Sequence, residues 1–252
     1  MQSDYLIQYE KKYLVTQEQC AALTGVLQRH MAPDIFSQYL VQNIYYDTDG
    51  WDAVRASIEK PYYKEKLRLR CYGVPGSDGQ FFLELKKKYK GVVSKCRVIF
   101  PAAMFAGGAA AALLAGEDSQ IARELAFYLQ RSGVAEKVYL AYQRCAFVGT
   151  KDEGLRVTLD TDIRFRLDQL DLQHPAPGQY ILPQSMAVLE IKTLGGTPLW
   201  NAGGGMPLWL SGALSECGVF PTSFSKYGAC YTRHIQPAIY STSMPERIPA
   251  YV

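Results

Sequence analysis

The 252-residue sequence has no CxxC pair, only three histidines and no long apolar run. Its six cysteines (Cys20, Cys71, Cys96, Cys145, Cys217, Cys230) are scattered. That spacing excludes a zinc framework and reads as reduced, mostly buried small side chains. His30, His174 and His234 stand apart and belong to no Ser-His-Asp or Cys-His constellation. The glycines at 203–205 lack a following GK[ST], which excludes a P-loop. No stretch reaches the roughly 18 apolar residues of a membrane span. The opening MQSDYLIQYEKKYLV lacks the basic-then-apolar order of a signal peptide. A cytoplasmic protein is the expectation. A net charge of +3 gives no reason to expect a nucleic-acid partner, although a mild excess can be gathered in one cleft.

What is present suits a globular chain: 48% hydrophobic and 20% charged residues. Strand-like segments rich in Tyr, Val, Ile and Leu run over 5–15, 40–47, 65–72, 80–90, 92–100, 136–148, 154–166 and 186–193. Short turn sequences (VPGSDG, the single Gly91, GTKDEG) join several of them as hairpins. Thr16, with Gln19 three residues on, resembles a capping box opening a helix. The segment 51–60 reads as a second helix, and the Ala-rich 102–133 as mostly helical. Residues 195–206 read as a loop, 207–217 as a helix, and the proline-bearing tail from 235 to 252 as an irregular extension. The fold expected is one α+β domain over 1–234: a closed antiparallel eight-stranded β-tunnel with helices packed outside.

Side-chain alternation carries the functional argument, because neighbouring strand residues face opposite ways. In every segment but the second a set of charged residues shares one parity, while Lys87 points outward. Glu10 pairs with Lys12, and Lys66 with Arg68 and Arg70. Glu84 shares a face with Lys86 and Lys88, Lys95 with Arg97, and Tyr142 with Arg144. Arg156, Thr158 and Asp160 align, as do Glu190 and Lys192. A half-buried strand with its polar face in water explains any one of these. All together, with helices available to cover the apolar faces, they place the charges inside. Such an interior needs water or counter-charge, since an unpaired buried ion costs several kcal/mol. The inward bases (Lys12, Lys66, Arg68, Arg70, Lys86, Lys88, Lys95, Arg97, Arg144, Arg156, Lys192) outnumber the acids Glu10, Glu84, Asp160 and Glu190. Arginine forks and lysine point charges suit phosphate oxygens, and carboxylates among them suit a divalent metal bridging phosphates. The inference is a phosphate-chain site. The tyrosines follow from strand propensity, with one Tyr or Phe covering a nucleotide base as the functional alternative.

Several of these segments, read in order, resemble the triphosphate tunnel metalloenzyme superfamily. Within it they resemble the VTC (vacuolar transporter chaperone) polyphosphate polymerase domain. They are YEKKYLV at 9–15, KLRLRCYG at 66–73, LELKKKY at 83–89, SKCRVIF at 94–100, YQRCAF at 142–147, LRVTLDTDI at 155–163, LEIKT at 189–193 and FSKY at 224–227. Gln8 stands where the related CYTH branch has the first acid of its ExExK opening, which favours VTC. The resemblance implies a nucleoside triphosphate such as ATP in the tunnel, with Mn²⁺ or Mg²⁺. It assigns Lys12, Arg68, Arg70, Lys86, Lys95, Arg144 and Lys226 to the phosphates, and Glu190 to the metal, joined by Glu10, Glu84 or Asp160. It further implies transfer of the γ-phosphoryl group to inorganic polyphosphate. A place at the inner face of a membrane, through a partner protein, fits fungal relatives that work beside membrane segments. Ser223 departs from the pattern, which carries a base three residues before the FSK lysine. A triphosphatase and a non-catalytic polyphosphate-binding module therefore stay open beside the polymerase.

Overall fold

The computed structural model describes residues 8–90, 92–104, 114, 116–151, 154–174, 177–194 and 206–243. Its strands are β1 Gln8–Thr16, β2 Met31–Asp47, β3 Tyr63–Tyr72, β4 Gln80–Tyr89, β5 Val92–Pro101, β6 Ala135–Gly149, β7 Leu155–Arg166, β8 Gln179–Tyr180, β9 Met186–Leu194 and β10 Pro221–Thr222. Its helices are α1 Gln17–His30, α2 Asp52–Glu59, α3 Gln120–Ser132, α4 Leu208–Glu216, α5 Lys226–Cys230 and α6 Gln236–Ser243. A π-helical turn, Tyr231–Ile235, joins the last two. The helix starts are written locally. The Thr16 hydroxyl accepts from Gln19 N at 3.2 Å while Gln19 Oε1 accepts from Thr16 N at 2.9 Å. Ser119 caps α3, and Gly133, at φ 59°, ends it.

All strand pairings are antiparallel, in the order β10-β1-β9-β7-β6-β2-β3-β4-β5, with β8 on β7. Two expectations are corrected. The sheet has ten strands rather than eight, because two-residue pairings at β8 and β10 add to the long ones. It is also not closed by hydrogen bonds among the described residues: no backbone ladder joins β5 to β1 or β10. Side chains meet across the opening instead, with Lys86 Nζ of β4 lying 3.6 Å from Glu10 Oε2 of β1. The segment read as 40–47 starts nine residues earlier, at Met31, and reaches β6 across an irregularity between Pro33 and Gln38. Of the Ala-rich stretch, a 3-10 turn at Ala102–Met104 and α3 are seen; 105–113 lies outside the described residues. The tail begins as α6 rather than as an irregular extension, and 244–252 lies outside the described residues, as does most of the 195–206 loop.

Strand alternation builds the core in three parts. The outward faces of β3, β4 and β5 (Leu67, Leu69, Leu83, Leu85, Val98) are covered by Leu125 and Tyr128 of α3. Those of β1, β7 and β9 (Val15, Val157, Leu189, Ile191) are covered by α1 and α4 through Leu23, Leu27 and Leu210. The third cluster fills one end of the interior, where Tyr227, Tyr231 and Ile235 pack on Val41, Tyr45, Leu140, Ile163 and Phe165.

The fully buried Asp47, at the end of β2, ties this end together. Its Oδ1 accepts from Ala53 N at 2.8 Å, and its Oδ2 from Val54 N at 3.0 Å and the Tyr227 hydroxyl at 2.7 Å. It thereby caps α2, whose N-cap residue Trp51 contributes no side-chain bond, and anchors α5. Asp47→Ala leaves four donors unpaired, Thr48 N included and two of them buried, and should cost about 2 kcal/mol or more, at 1–3 kcal/mol per orphaned buried group. Urea unfolding measures it, and a loss below about 1 kcal/mol would show that Asp47 is not the anchor.

Candidate active site in the lumen

The concave face of the curled sheet gathers charge from eight elements. On one wall, Arg144 of β6 forks onto Asp160 of β7, with Nε–Oδ1 at 2.6 Å and Nη2–Oδ2 at 2.7 Å. Lys226, at the first position of α5, reaches Asp160 at 2.5 Å and Glu190 at 3.1 Å. Glu190 of β9 also meets Lys12 at 3.3 Å, Lys192 at 3.2 Å and Arg144 at 3.7 Å. Lys12 turns its other side to Glu10 at 2.9 Å. On the facing wall the enclosed Glu84 of β4 holds Arg68 at 2.7 Å, Lys95 at 2.6 Å and Arg70 at 3.9 Å. Asn43 Oδ1 accepts from Arg70 Nε at 2.8 Å, and the Tyr142 hydroxyl accepts from Arg70 Nη2 at 3.3 Å.

The expected set divides accordingly. Lys12, Lys66, Arg68, Arg70, Lys86, Arg144, Lys192 and Lys226 line one cavity with Glu10 and Glu190. Lys95, Glu84 and Asp160 join it through their ion pairs. Lys88 is exposed beyond one end. At the other end, Arg97 is exposed over the Phe82 ring, and Arg156 pairs with Asp34. Reading by charge alone missed Asn43, Tyr45 and the Asp47–Tyr227 anchor. Their signal was available, since Asn43, Tyr45 and Asp47 share one parity of β2, but the segment LVQNIYYD reads first as apolar.

Nine bases face four carboxylates here, and the protonation equilibria carry the imbalance. Burial pushes the Glu84 and Glu190 carboxyls up, yet the cations around each win and hold both well below the usual carboxylate range. Asp160 is likewise lowered, by Lys226 and Arg144 against burial. Lys86 is pushed down to about 8 by burial, with Glu10 opposing. Lys66 has no carboxylate partner among the described residues. Burial, then Lys86, Lys12, Lys64 and Arg68, push it down to about 7.

The carboxylates differ in fitness for a metal. Asp160 and Glu84 are enclosed by their cations. Glu10 and Glu190 converge on the Lys12 ammonium. Directly across from Glu190, the buried Thr158 hydroxyl has no hydrogen-bond partner among the described residues. No cluster of three acidic, His or Cys ligands exists among the described residues. Glu190 opposite an unpaired hydroxyl, with Glu10 sharing its Lys12 ammonium, fits a divalent cation whose other ligands are phosphate oxygens and water.

The low value at Lys66 has a measurable sign. A lysine whose folded pKa lies below its ordinary 10.5 destabilises the fold as pH falls through the window between about 7 and 10.5, and the penalty is complete below it. Lys66→Met should therefore raise the melting temperature of the anion-free protein most near pH 6, and the gain should shrink toward pH 10. Melts at low salt across that range test this; a gain independent of pH would contradict it.

The family profile described as the VTC domain matches residues 7–234. No curated protein sequence matches the chain. Among solved structures, a Pyrococcus horikoshii OT3 protein is 18% identical, over 90% of this chain and 100% of that one, at a TM-score of 0.49. A Vibrio parahaemolyticus protein, provisionally described as an adenylate cyclase, is 11% identical, over 90% of this chain and 98% of that one, also at 0.49. No described helix is long and apolar enough to cross a membrane. With the profile spanning nearly all of the sequence, over the same strands that carry the lumen's charges, the chain belongs to the VTC domain family.

Proposed function

We propose that this domain is a metal-dependent polyphosphate polymerase that uses ATP. The observation that carries the reading is the cationic excess of the lumen, with Lys66 lacking a carboxylate partner among the described residues and Glu10 and Glu190 sharing the Lys12 ammonium. A triphosphate supplies the missing negative charge. Arg68, Arg70, Lys12, Lys86 and Arg144 would bind and orient it, with Lys95, Lys192 and Lys226 adding charge around it. Glu10 and Glu190 would hold Mn²⁺ or Mg²⁺, which when bound neutralises charge on the phosphate oxygens. A terminal oxygen of a polyphosphate chain bonds to the γ-phosphorus. The bond from that phosphorus to the β,γ-bridging oxygen breaks, and the nucleoside diphosphate leaves with the electron pair. Positioning and charge neutralisation suffice for this, with no covalent nucleophile on the protein.

Ser223 supports a second reading. It stands exposed between β10 and α5, where the family pattern carries a base. A lumen with one phosphate-binding charge fewer at that point could pass the phosphoryl group to water, making the protein a triphosphatase. Incubation with γ-labelled ATP and Mn²⁺, with and without a short polyphosphate primer, separates the two on a gel. The polymerase yields a labelled ladder; label found only in orthophosphate establishes the hydrolase, and label left in ATP refutes both. Glu190→Gln should reduce turnover at least a hundredfold, an expected barrier increase of about 2.7 kcal/mol. Anion binding should largely survive, and full activity in that variant would refute the metal assignment.

A further inference from the structure

The two ends of the lumen differ in chemistry. At one end the inward face carries Lys64 and Lys88, which are cross-strand partners, and the C-terminal helices seal the β2, β6 and β7 side. At the other end the same face finishes in rings. Tyr72 lies two residues beyond Arg70 on β3, and Phe82 two residues before Glu84 on β4. Tyr39 shares the parity of Asn43 and Tyr45 on β2. The three rings form a continuous chain: Tyr39 meets Tyr72 edge-on at 5.6 Å, and Tyr72 meets Phe82 at 5.3 Å and 66°. Two guanidiniums flank it, with Arg70 5.8 Å from the Tyr72 centroid and Arg97 5.4 Å from that of Phe82.

Two of these rings are not spent on the core, whereas Tyr39 also packs against the interior apolar cluster. Tyr72 and Phe82 belong to none of the buried clusters, and Tyr72 remains 41% exposed. A single exposed ring on a strand needs no explanation. Three in contact, on the face that otherwise carries charge and at the rim next to Arg70, do. Two strand residues, roughly 6.6 Å, separate Arg70 from Tyr72. A ribose spans such a distance between a phosphate on the arginine and a base on the ring.

Resting on the reading of the lumen as a triphosphate site, we propose that Tyr39, Tyr72 and Phe82 form the nucleobase subsite. The nucleoside triphosphate enters this mouth phosphates first and leaves its base stacked on the collar. Stacking engages the π-face of a base and not its hydrogen-bonding edge, so the collar supplies affinity with little choice among bases.

The test compares two probes, ATP and inorganic tripolyphosphate, by calorimetry in the same metal-containing buffer. Wild type should bind both. Tyr72→Ala should weaken ATP roughly tenfold or more, the scale of one lost base–aromatic contact. Its tripolyphosphate affinity should stay within about twofold. Phe82→Ala should behave alike, and Tyr72→Phe should restore ATP binding, which guards against a folding artefact. Equal losses for both probes, or no loss for either, would overturn the subsite while leaving the lumen reading intact. Failure of the wild type to bind tripolyphosphate would instead remove the lumen reading, and the subsite with it.

Discussion

Cations outnumber carboxylates inside a curled sheet, and this imbalance constrains everything else in the molecule. Taking a charge out of water costs several kcal/mol unless it is paired with good geometry. The structure meets that cost with shared carboxylates. Glu84 holds three cations, Asp160 takes the Arg144 fork and the Lys226 ammonium, and Glu190 sits among four bases. The lattice is still short of negative charge, and the deficit shows where lysine pKa values fall, at Lys66 and Lys86. On the reading of the lumen as a triphosphate site, stability and ligand affinity are two sides of one quantity, because a bound polyanion would relieve the repulsion among these cations.

An interior of this kind inverts the usual arrangement of a sheet protein. Apolar side chains that would fill a barrel point outward, under α1, α3 and α4. Only at one end does an apolar cluster enter the interior, carried by the C-terminal segment. That segment contributes both packing and chemistry, since Lys226 begins α5 and the next residue, Tyr227, is fixed by Asp47 and stacked on Tyr45 at 4.5 Å. Tyr45 in turn accepts from Arg68 at 3.3 Å. The apolar plug and the ionic wall are therefore adjacent parts of one assembly, and the position of a lumen lysine depends on a buried aspartate that never touches the lumen charges.

Much of this was legible in the sequence because strand geometry is local. A period of two in charge, as in Lys66, Arg68 and Arg70 against Leu67, Leu69 and Cys71, assigns faces without any knowledge of partners. The Thr16–Gln19 capping box is equally local. The hairpins β3–β4 and β4–β5 follow from short turns. What failed to read was of another kind. Whether β5 pairs with β1 depends on the twist and shear accumulated over the whole sheet, and no segment encodes it. The reach of β2 back to Met31 was hidden by Pro33 and Asp34, turn-type residues that an irregular strand tolerates.

The sequence by itself determined which side chains share a face, that bases exceed acids on it, and which family pattern those strands follow. Tertiary structure decided which carboxylates are enclosed and which stand together. Glu84 and Asp160 look no different from Glu10 and Glu190 in the strand pattern, yet the first two are fully enclosed, whereas the second two line the cavity and meet on the Lys12 ammonium. It also separated Lys88, Arg97 and Arg156 at the ends from the cavity proper, although all share the inward parity. The physical reason is that alternation fixes orientation within a strand, whereas the pairing of charges depends on register between strands and on helices that arrive from far along the chain.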